Sequence, residues 1–400
     1  MKKIFIHFNT EDGCALHRLL LPYKQVEKLT DTFQFSFGYS KPEMTVDERI
    51  QEIAQFDVLI FHRILPENML YNIKQANPNL IVICDMDDSP RLNDQHVLFK
   101  DYKENNITPR IYDCVRQADY VTCTTEILAK ELRPFNNNVV IFPNALLKEE
   151  QFEPKPTPSN RIRFGLMGGA THIKDYELLE GVVQRLKPDV LSKIQFVLCG
   201  FDNSYYKLKS HDGQIHYELA RPEDNPWVKI EKLLTDDYRT VTPKTKEILM
   251  QYNEALETDR NEPYRRIWLK SVYDYATAYN EIDVLLVPLL ENSFNACKSE
   301  LKLIEASNFN KAAIVSDVYP YKICGINIIE KGGAINPDGN CIMVNNRSKD
   351  GWVKAIEKMA TNESLRRLSA YNLSKLTQSG MYNLHENALK RIEFLSNIAK

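Results

Sequence analysis

The sequence lacks the features that mark several large classes of protein. None of its apolar runs approaches the roughly 18 residues that a membrane-spanning helix needs, and the apolar stretch near the start is too short for a signal peptide. The formal net charge of −3 offers no basic field for nucleic acid. The eight cysteines include no CxxC pair, and several lie inside apolar runs, as reduced and buried thiols do. We therefore expect a soluble, cytoplasmic protein that does not bind nucleic acid.

The fingerprints of common cofactor and metal sites are missing as well. No GxGxxG motif follows an apolar run, and no glycine-rich loop continues into G-K-S or G-K-T. A dinucleotide-dependent oxidoreductase is therefore disfavoured. No HxxE or similar pattern accompanies the acidic residues. We expect neither a metal nor a cofactor.

The composition is that of an ordinary globular protein, with 43% hydrophobic and 26% charged residues. A chain of 400 residues exceeds the ~250–300 residues at which a single core stops growing, so two or three domains are expected. The polar segment 152–160, FEPKPTPSN, holds three prolines and is the clearest linker signal. We therefore predict domains at 1–155 and 156–380, followed by a C-terminal helix at 381–400 that packs back on the first domain.

Short apolar runs alternate with amphipathic stretches through both predicted domains. The runs that we predict as strands are 3–8, 33–38, 57–63, 80–85, 119–125 and 139–144, then 162–169, 194–200, 283–290 and 312–317. Such alternation indicates parallel sheets covered on both faces. The expected fold class is α/β, with two facing Rossmann-like, doubly wound domains whose strand ends form a ligand cleft. Residues 203–280 break this rhythm, and we interpret them as an insertion that is partly helical from about 242 to 280.

A charged helix is predicted between the last two apolar runs. Lys298, Lys302 and Glu305 are spaced i, i+4 and i+7, which places them on one helix face. With Ser293 or Asn295 as the N-cap, Lys298 would lie near the first turn, where free N–H groups and the helix dipole favour an anion. The helix would then hold a diphosphate at its tip and ribose hydroxyls further along. The alternative is a solvated face with an ion pair between Lys302 and Glu305.

A second candidate phosphate site is the turn 168–175, GGATHIKD, which follows the first strand of the second domain. Gly168 and Gly169 let the backbone pass close to a ligand. Thr171 and His172 stand at the entrance of the next helix. A tight turn with an N-capping side chain explains the same residues equally well.

Polar side chains also follow strands of the first domain. Arg18 lies in the first turns of the helix after the first strand, where it meets either a phosphate or solvent. Asp85, Asp87 and Asp88 come at the end of the fourth apolar run. Carboxylates clustered at a strand end hold a metal, act as a general base, bind sugar hydroxyls, or simply cap a turn. Metal binding is the least favoured of the functional options.

Several segments together carry a resemblance to a known family. They are GCALHRLLLP and DMDD, DYVTCTTEILAKEL with VVIFPNAL, FGLMGGATHIKDYELL, and YNEIDVLLVPLLENSFNACKSELKLIEASNFNKAAIVSD. They resemble the nucleotide-sugar glycosyltransferases of the GT-B type, in particular the large retaining group of bacterial enzymes. The likeness covers most of the chain except residues 203–280.

The resemblance implies a set of donor-binding residues. Lys298 and Ser299 would approach the donor diphosphate, and Glu305 would hold the nucleotide ribose. The turn Gly168–His172 would line the phosphates. Arg18 would reach towards them from the first domain.

One position departs from the family pattern. Many relatives carry an acidic residue near the transferred sugar, at the place where this chain has Cys297. Other relatives have an N-x-x-K-S arrangement there, which Asn295, Lys298 and Ser299 match. The departure leaves sugar recognition and the stereochemistry of transfer open.

The activity implied by the resemblance is sugar transfer from a nucleotide-sugar donor to a glycan or lipid-linked acceptor in cell-surface polysaccharide synthesis, with retention and without a metal. Lys298 would stabilise the charge that develops on the diphosphate, and Asp87 and Asp88 would position the acceptor hydroxyl. The many tyrosines and the final amphipathic helix are compatible with peripheral association at the inner face of the membrane. The alternatives are a nucleotide-sugar epimerase of the same architecture and a non-catalytic binding protein.

Overall fold

The structure is a computed structural model, and it describes residues 1–39, 44–202, 206–211, 214–219, 222–235 and 262–399. The chain divides into two compact units. The first unit comprises Met1–Leu147, Asn292–Ile304 and Leu376–Lys400, and the second comprises Lys148–Glu291 and Glu305–Lys375. Residues 292–304, which follow the apolar run at 283–290, therefore belong to the first unit.

The first unit is built on a six-stranded sheet with the spatial order β2-β1-β3-β4-β5-β6. Its strands are β1 Lys2–Phe8, β2 Phe33–Tyr39, β3 Val58–His62, β4 Ile81–Met86, β5 Tyr120–Cys123 and β6 Val139–Ile141. Every neighbouring pair is parallel. The central strand β3 is buried along its whole length, as a strand covered on both faces must be. All six coincide with predicted apolar runs.

Helices connect these strands and complete the first unit. They are Gly13–Ala15, Leu21–Leu29, Val46–Ile53, Met69–Ala76, Phe99–Glu104, Ile107–Gln117, Glu126–Leu132, Ser293–Ala296 and Leu384–Ile398, with a π-helical turn at Leu16–Leu20 and a 3₁₀ turn at Gly380–Tyr382. The last helix packs on Leu21–Leu29, and Arg391 donates a 3.2 Å hydrogen bond to the Tyr23 hydroxyl. The apolar side of this helix is thus buried inside the first unit.

The second unit has a six-stranded parallel sheet with the order β11-β8-β7-β12-β13-β14. Its strands are β7 Ile162–Met167, β8 Ile194–Phe201, β11 Tyr264–Trp268, β12 Val284–Val287, β13 Ala312–Ser316 and β14 Ile342–Val344. A separate antiparallel hairpin is formed by β9 Tyr206–His211 and β10 Gln214–Leu219. Four of the six sheet strands were expected from apolar runs, whereas β11 and β14 were not.

The segment predicted to be partly helical from about 242 to 280 contains a strand as well as a helix where the structure describes it. Tyr264–Trp268 is a buried edge strand that pairs with β8, and Tyr275–Glu281 is a 3₁₀ helix. Aromatic and β-branched side chains favour a pleated surface, which explains the strand at YRRIW. The part of this prediction that covers residues 242–261 lies outside the described residues.

Helices and short turns surround the second sheet. The α-helices are Ile173–Tyr176, Val182–Arg185, Pro188–Leu191, Pro226–Thr235, Leu301–Asn308, Gly351–Thr361 and Glu363–Ser374. The 3₁₀ helices are Glu150–Phe152, Ala170–His172, Glu177–Leu179, Pro222–Asp224, Tyr275–Glu281 and Tyr321–Ile323. Each unit has its own apolar core around its sheet. Across the described residues, no helix combines the length and apolar character needed to cross a bilayer.

Candidate functional site

The strand order of the second unit fixes where a ligand is expected. From β7 the chain continues to β8 on one side, whereas β12 lies on the other side of β7. The connections therefore diverge between β7 and β12, and doubly wound sheets bind ligands at the carboxyl ends of the strands at this point. The turn after β7 and the residues after β12 border the candidate site.

The glycine turn after β7 brings bare backbone to this edge. Gly168 has φ of +155°, and a Cβ built on it would lie 2.3 Å from the Tyr176 hydroxyl. No side chain fits there without displacing that tyrosine. Gly169 precedes the 3₁₀ turn Ala170–His172, and Thr171 is exposed. Backbone N–H groups beside glycines suit an anionic ligand when solvent reaches them.

Asp175 ties the two loops of this edge together. Its Oδ2 lies 2.8 Å from His172 Nδ1, and its Oδ1 accepts a 2.9 Å hydrogen bond from the Leu290 backbone N–H. Leu290 follows β12, so one buried carboxylate holds the turns after β7 and β12. The ring of His172 is thereby oriented, and part of it remains exposed.

The predicted continuous helix around Lys298 is wrong. Ser293–Ala296 is a single helical turn capped by Asn292, whose side chain accepts from the Asn295 N–H at 2.8 Å. The next helix is Leu301–Asn308. Lys298 lies between the two, so the i, i+4, i+7 spacing does not put it on one helix face with Glu305.

Glu305 is fully buried within the second unit, with 0% of its surface exposed. The Tyr275 hydroxyl donates to its Oε1 at 2.5 Å, and the Tyr279 hydroxyl donates to its Oε2 at 2.6 Å. Both oxygens of the predicted ribose ligand are therefore engaged by tyrosines. Neither tyrosine was a predicted site residue, because both lie near the end of the segment 203–280 that was interpreted as an insertion.

In the first unit the connections diverge between β1 and β3. His62 ends β3, and Arg63 follows it with a left-handed φ of 58°. Asp87 Oδ1 accepts from Arg63 Nε at 2.7 Å and lies 2.9 Å from His62 Nε2. Burial alone would raise the pKa of the Asp87 carboxyl, but Arg63 and His62 hold it well below its ordinary value. Asp87 thus stays ionised and is a weak base.

Asp88 is the more open of the two carboxylates. Arg63 Nη2 lies 3.4 Å from its Oδ2, and Lys298 Nζ lies 3.4 Å from the same oxygen. Lys298 also sits over the Phe294 ring, 4.6 Å from its centroid. Three predicted site residues, Asp87, Asp88 and Lys298, are therefore brought together in the first unit.

The neighbours of Lys298 are anchored in the same unit. Ser299 Oγ accepts a 2.9 Å hydrogen bond from Asn144 Nδ2. Asn295 is buried, and its carbonyl accepts from the Lys298 N–H at 3.2 Å. The N-x-x-K-S arrangement is thus a local turn whose serine is held by a side chain from the loop after β6.

An acidic side chain stands beside Cys297 although the sequence has none at that position. Cys297 Sγ lies 3.2 Å from Glu131 Oε2, while Glu131 Oε1 accepts from the Ser89 and Tyr112 hydroxyls at 2.8 and 2.6 Å. Burial, followed by the Glu131 charge, raises the pKa of the Cys297 thiol. Glu131 and Arg63 were missed because they fit an ordinary amphipathic helix and a strand end.

Arg18 does not point outward. It forms a bidentate ion pair with Asp85, and its Nη1 also donates to the Phe142 carbonyl at 2.7 Å and to Asn144 Oδ1 at 3.1 Å. A phosphate contact would require these buried bonds to break. Across the residues described, no group of three or more His, Cys, Asp or Glu side chains is arranged to hold a metal ion.

Comparisons with known proteins bear on the fold. No protein-family model matches the sequence, and no curated protein matches it. Sucrose-phosphate synthase from Thermosynechococcus elongatus is similar in structure, with a TM-score of 0.64 and 13% identity, covering 100% of this chain and 99% of that one. The chain has the GT-B fold.

Two further GT-B structures are similar over equally complete lengths. HepE from Anabaena in complex with UDP and glucose gives a TM-score of 0.63 at 9% identity, covering 99% of this chain and 100% of that one. The catalytic domain of starch synthase IV from Arabidopsis thaliana, bound to ADP and acarbose, gives 0.60 at 8% identity, covering 100% and 99%. The predicted fold class is confirmed. A shared fold does not by itself assign the activity.

Proposed function

We propose that this protein is a glycosyltransferase that moves a sugar from a nucleotide-sugar donor to a glycan or lipid-linked acceptor. The observation that carries the proposal is the glycine turn at the switch point of the second sheet, where Gly169 is exposed. A diphosphate fits such a turn because its charge is met by backbone N–H groups. Two GT-B structures of similar fold hold UDP or ADP.

The donor half of the reaction is assigned to the second unit. Gly168, Gly169, Thr171 and His172 would receive the phosphates, and Glu305 would receive the ribose. Asp175 supports this role because it fixes both loops that border the site. Lys298 and Ser299 would approach the diphosphate from the segment that follows β12.

The chemistry asked of the protein is mainly electrostatic. Cleavage of the sugar–phosphate bond builds positive charge on the sugar and negative charge on the diphosphate, and a fixed ammonium group such as Lys298 stabilises the latter. Asp88 is better suited than Asp87 to position an acceptor hydroxyl, because its contacts are longer and Asp87 is committed to Arg63 and His62. We propose transfer with retention and without a metal.

The cellular setting belongs to the proposal too. We propose a bacterial enzyme of the cytoplasm that works in cell-surface polysaccharide synthesis at the inner face of the membrane. The C-terminal helix gives no support for membrane contact, since Leu384, Ala388 and Leu395 are buried in the first unit.

Donor binding is the decisive test. Titration calorimetry with UDP, ADP, GDP and their glucose conjugates should show that one nucleotide series binds, and the ligand should raise the melting temperature by mass action. Absence of binding across the panel would overturn the proposal. Turnover of a bound nucleotide sugar without any acceptor would indicate an epimerase, and binding with neither hydrolysis nor transfer would indicate a binding protein.

A further inference from the structure

The carboxylate of Glu305 is covered by two phenol hydroxyls. Glu305 has 0% of its surface exposed, and Tyr275 and Tyr279 each donate to one of its oxygens, at 2.5 and 2.6 Å. Burial, followed by the Glu305 charge, raises the pKa of each tyrosine well above the ordinary value for a phenol. Both hydroxyls therefore remain protonated donors at neutral pH. A ligand that uses this carboxylate must first gain access to it.

The two tyrosines differ in how firmly they are held. Tyr279 is fully buried and stacks on Phe309, with ring centroids 5.0 Å apart and an interplanar angle of 14°. Tyr275 is only partly buried, and its ring meets that of Phe152 edge-on with the centroids 6.3 Å apart. Tyr275 is therefore the less constrained of the two, whereas moving Tyr279 would open the core.

The donor pattern of the two tyrosines matches that of a ribose. Adjacent hydroxyls of a ribose donate to the two oxygens of one carboxylate, and the two phenols already do so here. A carboxylate accepts at both oxygens. A ribose hydroxyl that donates to Oε1 would therefore compete with Tyr275 for that oxygen.

We propose that Tyr275 is a gate over Glu305. In the free protein its hydroxyl occupies the carboxylate oxygen that a nucleotide ribose takes, and the side chain moves aside when the donor binds. Tyr279 stays in place and orients the carboxylate. This inference rests on the proposed function, since it needs a nucleotide as the ligand. A gate that is mostly closed lowers the apparent affinity by the fraction of molecules in which it is open.

Titration calorimetry with UDP, ADP and GDP tests the gate, because removal of the Tyr275 hydroxyl should raise the nucleotide affinity and not lower it. Tyr275→Phe, which removes the competing hydroxyl, should bind the accepted nucleotide about three- to tenfold more tightly than the wild type. Tyr275→Ala, which also removes the ring, should bind at least as tightly. The gain should vanish with the 2′,3′-dideoxy form of the same nucleotide, because that ligand does not need the carboxylate.

Two matched variants serve as controls, and neither should bind the nucleotide more tightly than the wild type. Tyr279→Phe should weaken binding and lower the melting temperature, because it leaves a buried carboxylate oxygen without its donor. Tyr371→Phe, an exposed tyrosine of the same unit, should alter neither. Weaker or unchanged binding by both Tyr275 variants would overturn the gate while leaving the proposed function standing. A wild type that binds no nucleoside diphosphate would overturn both.

Discussion

Arg18 and Asp85 form a bidentate ion pair with two hydrogen bonds of 2.9 Å, although only 1% of the arginine and 0% of the aspartate side chain is exposed. Thr122 donates a third bond to the carboxylate at 2.6 Å. The pair joins the helical turn after β1 to the end of β4. Its surroundings are those of a structural element of the first unit rather than of an open phosphate site.

Arg18→Ala should therefore act on stability. Removing one partner leaves a buried charge without compensation, which costs about 3–5 kcal/mol of the free energy of unfolding. Urea denaturation followed by far-UV circular dichroism measures this loss. The tryptophans, Trp227, Trp268 and Trp352, all lie in the second unit, so their fluorescence serves as the internal control. Unchanged stability with a selective loss of diphosphate affinity would instead restore the phosphate role expected from the sequence.

Cys297 and Glu131 offer a test of the departure from the family pattern. Cys297→Glu would place a second carboxylate beside the partly buried carboxylate of Glu131, and like charges at this separation disfavour ionisation of both. We expect a loss of at least about 1 kcal/mol beyond that of Cys297→Gln, which has the same size without the charge. Melting temperatures of the two variants measure the difference.

The double variant supplies the control for this charge effect. Glu131→Gln combined with Cys297→Glu exchanges the position of the single acid, so it should recover most of the stability that Cys297→Glu loses. If the double variant melts no higher than Cys297→Glu, size and not charge is responsible, and Glu131 does not stand in for the missing acid.

Much of the fold could be predicted because its signal is local. The run DVLIFHR at 57–63 contains β3, Val58–His62, and the weak run at 33–38 became β2, Phe33–Tyr39. Buried parallel strands need continuous apolar residues, and such runs are visible without any knowledge of partners. The edge strand Tyr264–Trp268 was not predicted, because it lies in a polar, aromatic stretch without a continuous apolar run.

The site could be predicted only in part, since its contacts join distant segments. Glu131 meets Cys297 across 166 positions, and Asp88 meets Lys298 across 210. No local pattern encodes such pairs. The break between Ser293–Ala296 and Leu301–Asn308 was equally hidden, because charge spacing predicts a face only if the helix is continuous.

Lys298→Ala should lower the affinity for a nucleoside diphosphate by about tenfold and leave the affinity for the bare nucleoside almost unchanged. The reason is that a charge-assisted contact to phosphate is worth about 1.5–3 kcal/mol. Stability should change little, because partly exposed ion pairs such as the one with Asp88 contribute under about 1 kcal/mol. Calorimetry with both ligands measures the contrast. Asp88→Asn is the control, since it breaks the same pair but keeps the lysine. If both variants lose the same diphosphate affinity, Lys298 acts only through its ion pair with Asp88.

His7 should make the first unit acid-sensitive. Its ring is fully buried in β1, and burial together with the nearby Arg49 charge lowers its pKa from 6.5 to about 4. Below pH 6.5 the unfolded chain therefore binds a proton at His7, whereas the folded chain does not bind it until the pH falls to about 4. Stability contributed by this group is complete above pH 6.5 and falls as the pH decreases, by up to about 3 kcal/mol.

The comparison that isolates this effect is His7→Leu, which cannot titrate and keeps an apolar side chain in the strand. Urea denaturation followed by circular dichroism between pH 7 and pH 4 should show a shallower loss of stability for His7→Leu than for the wild type. His385→Leu, an exposed position on the C-terminal helix, should leave the wild-type slope unchanged. Parallel profiles for the wild type and His7→Leu would mean that the ring is protonated in the folded state, which its burial opposes.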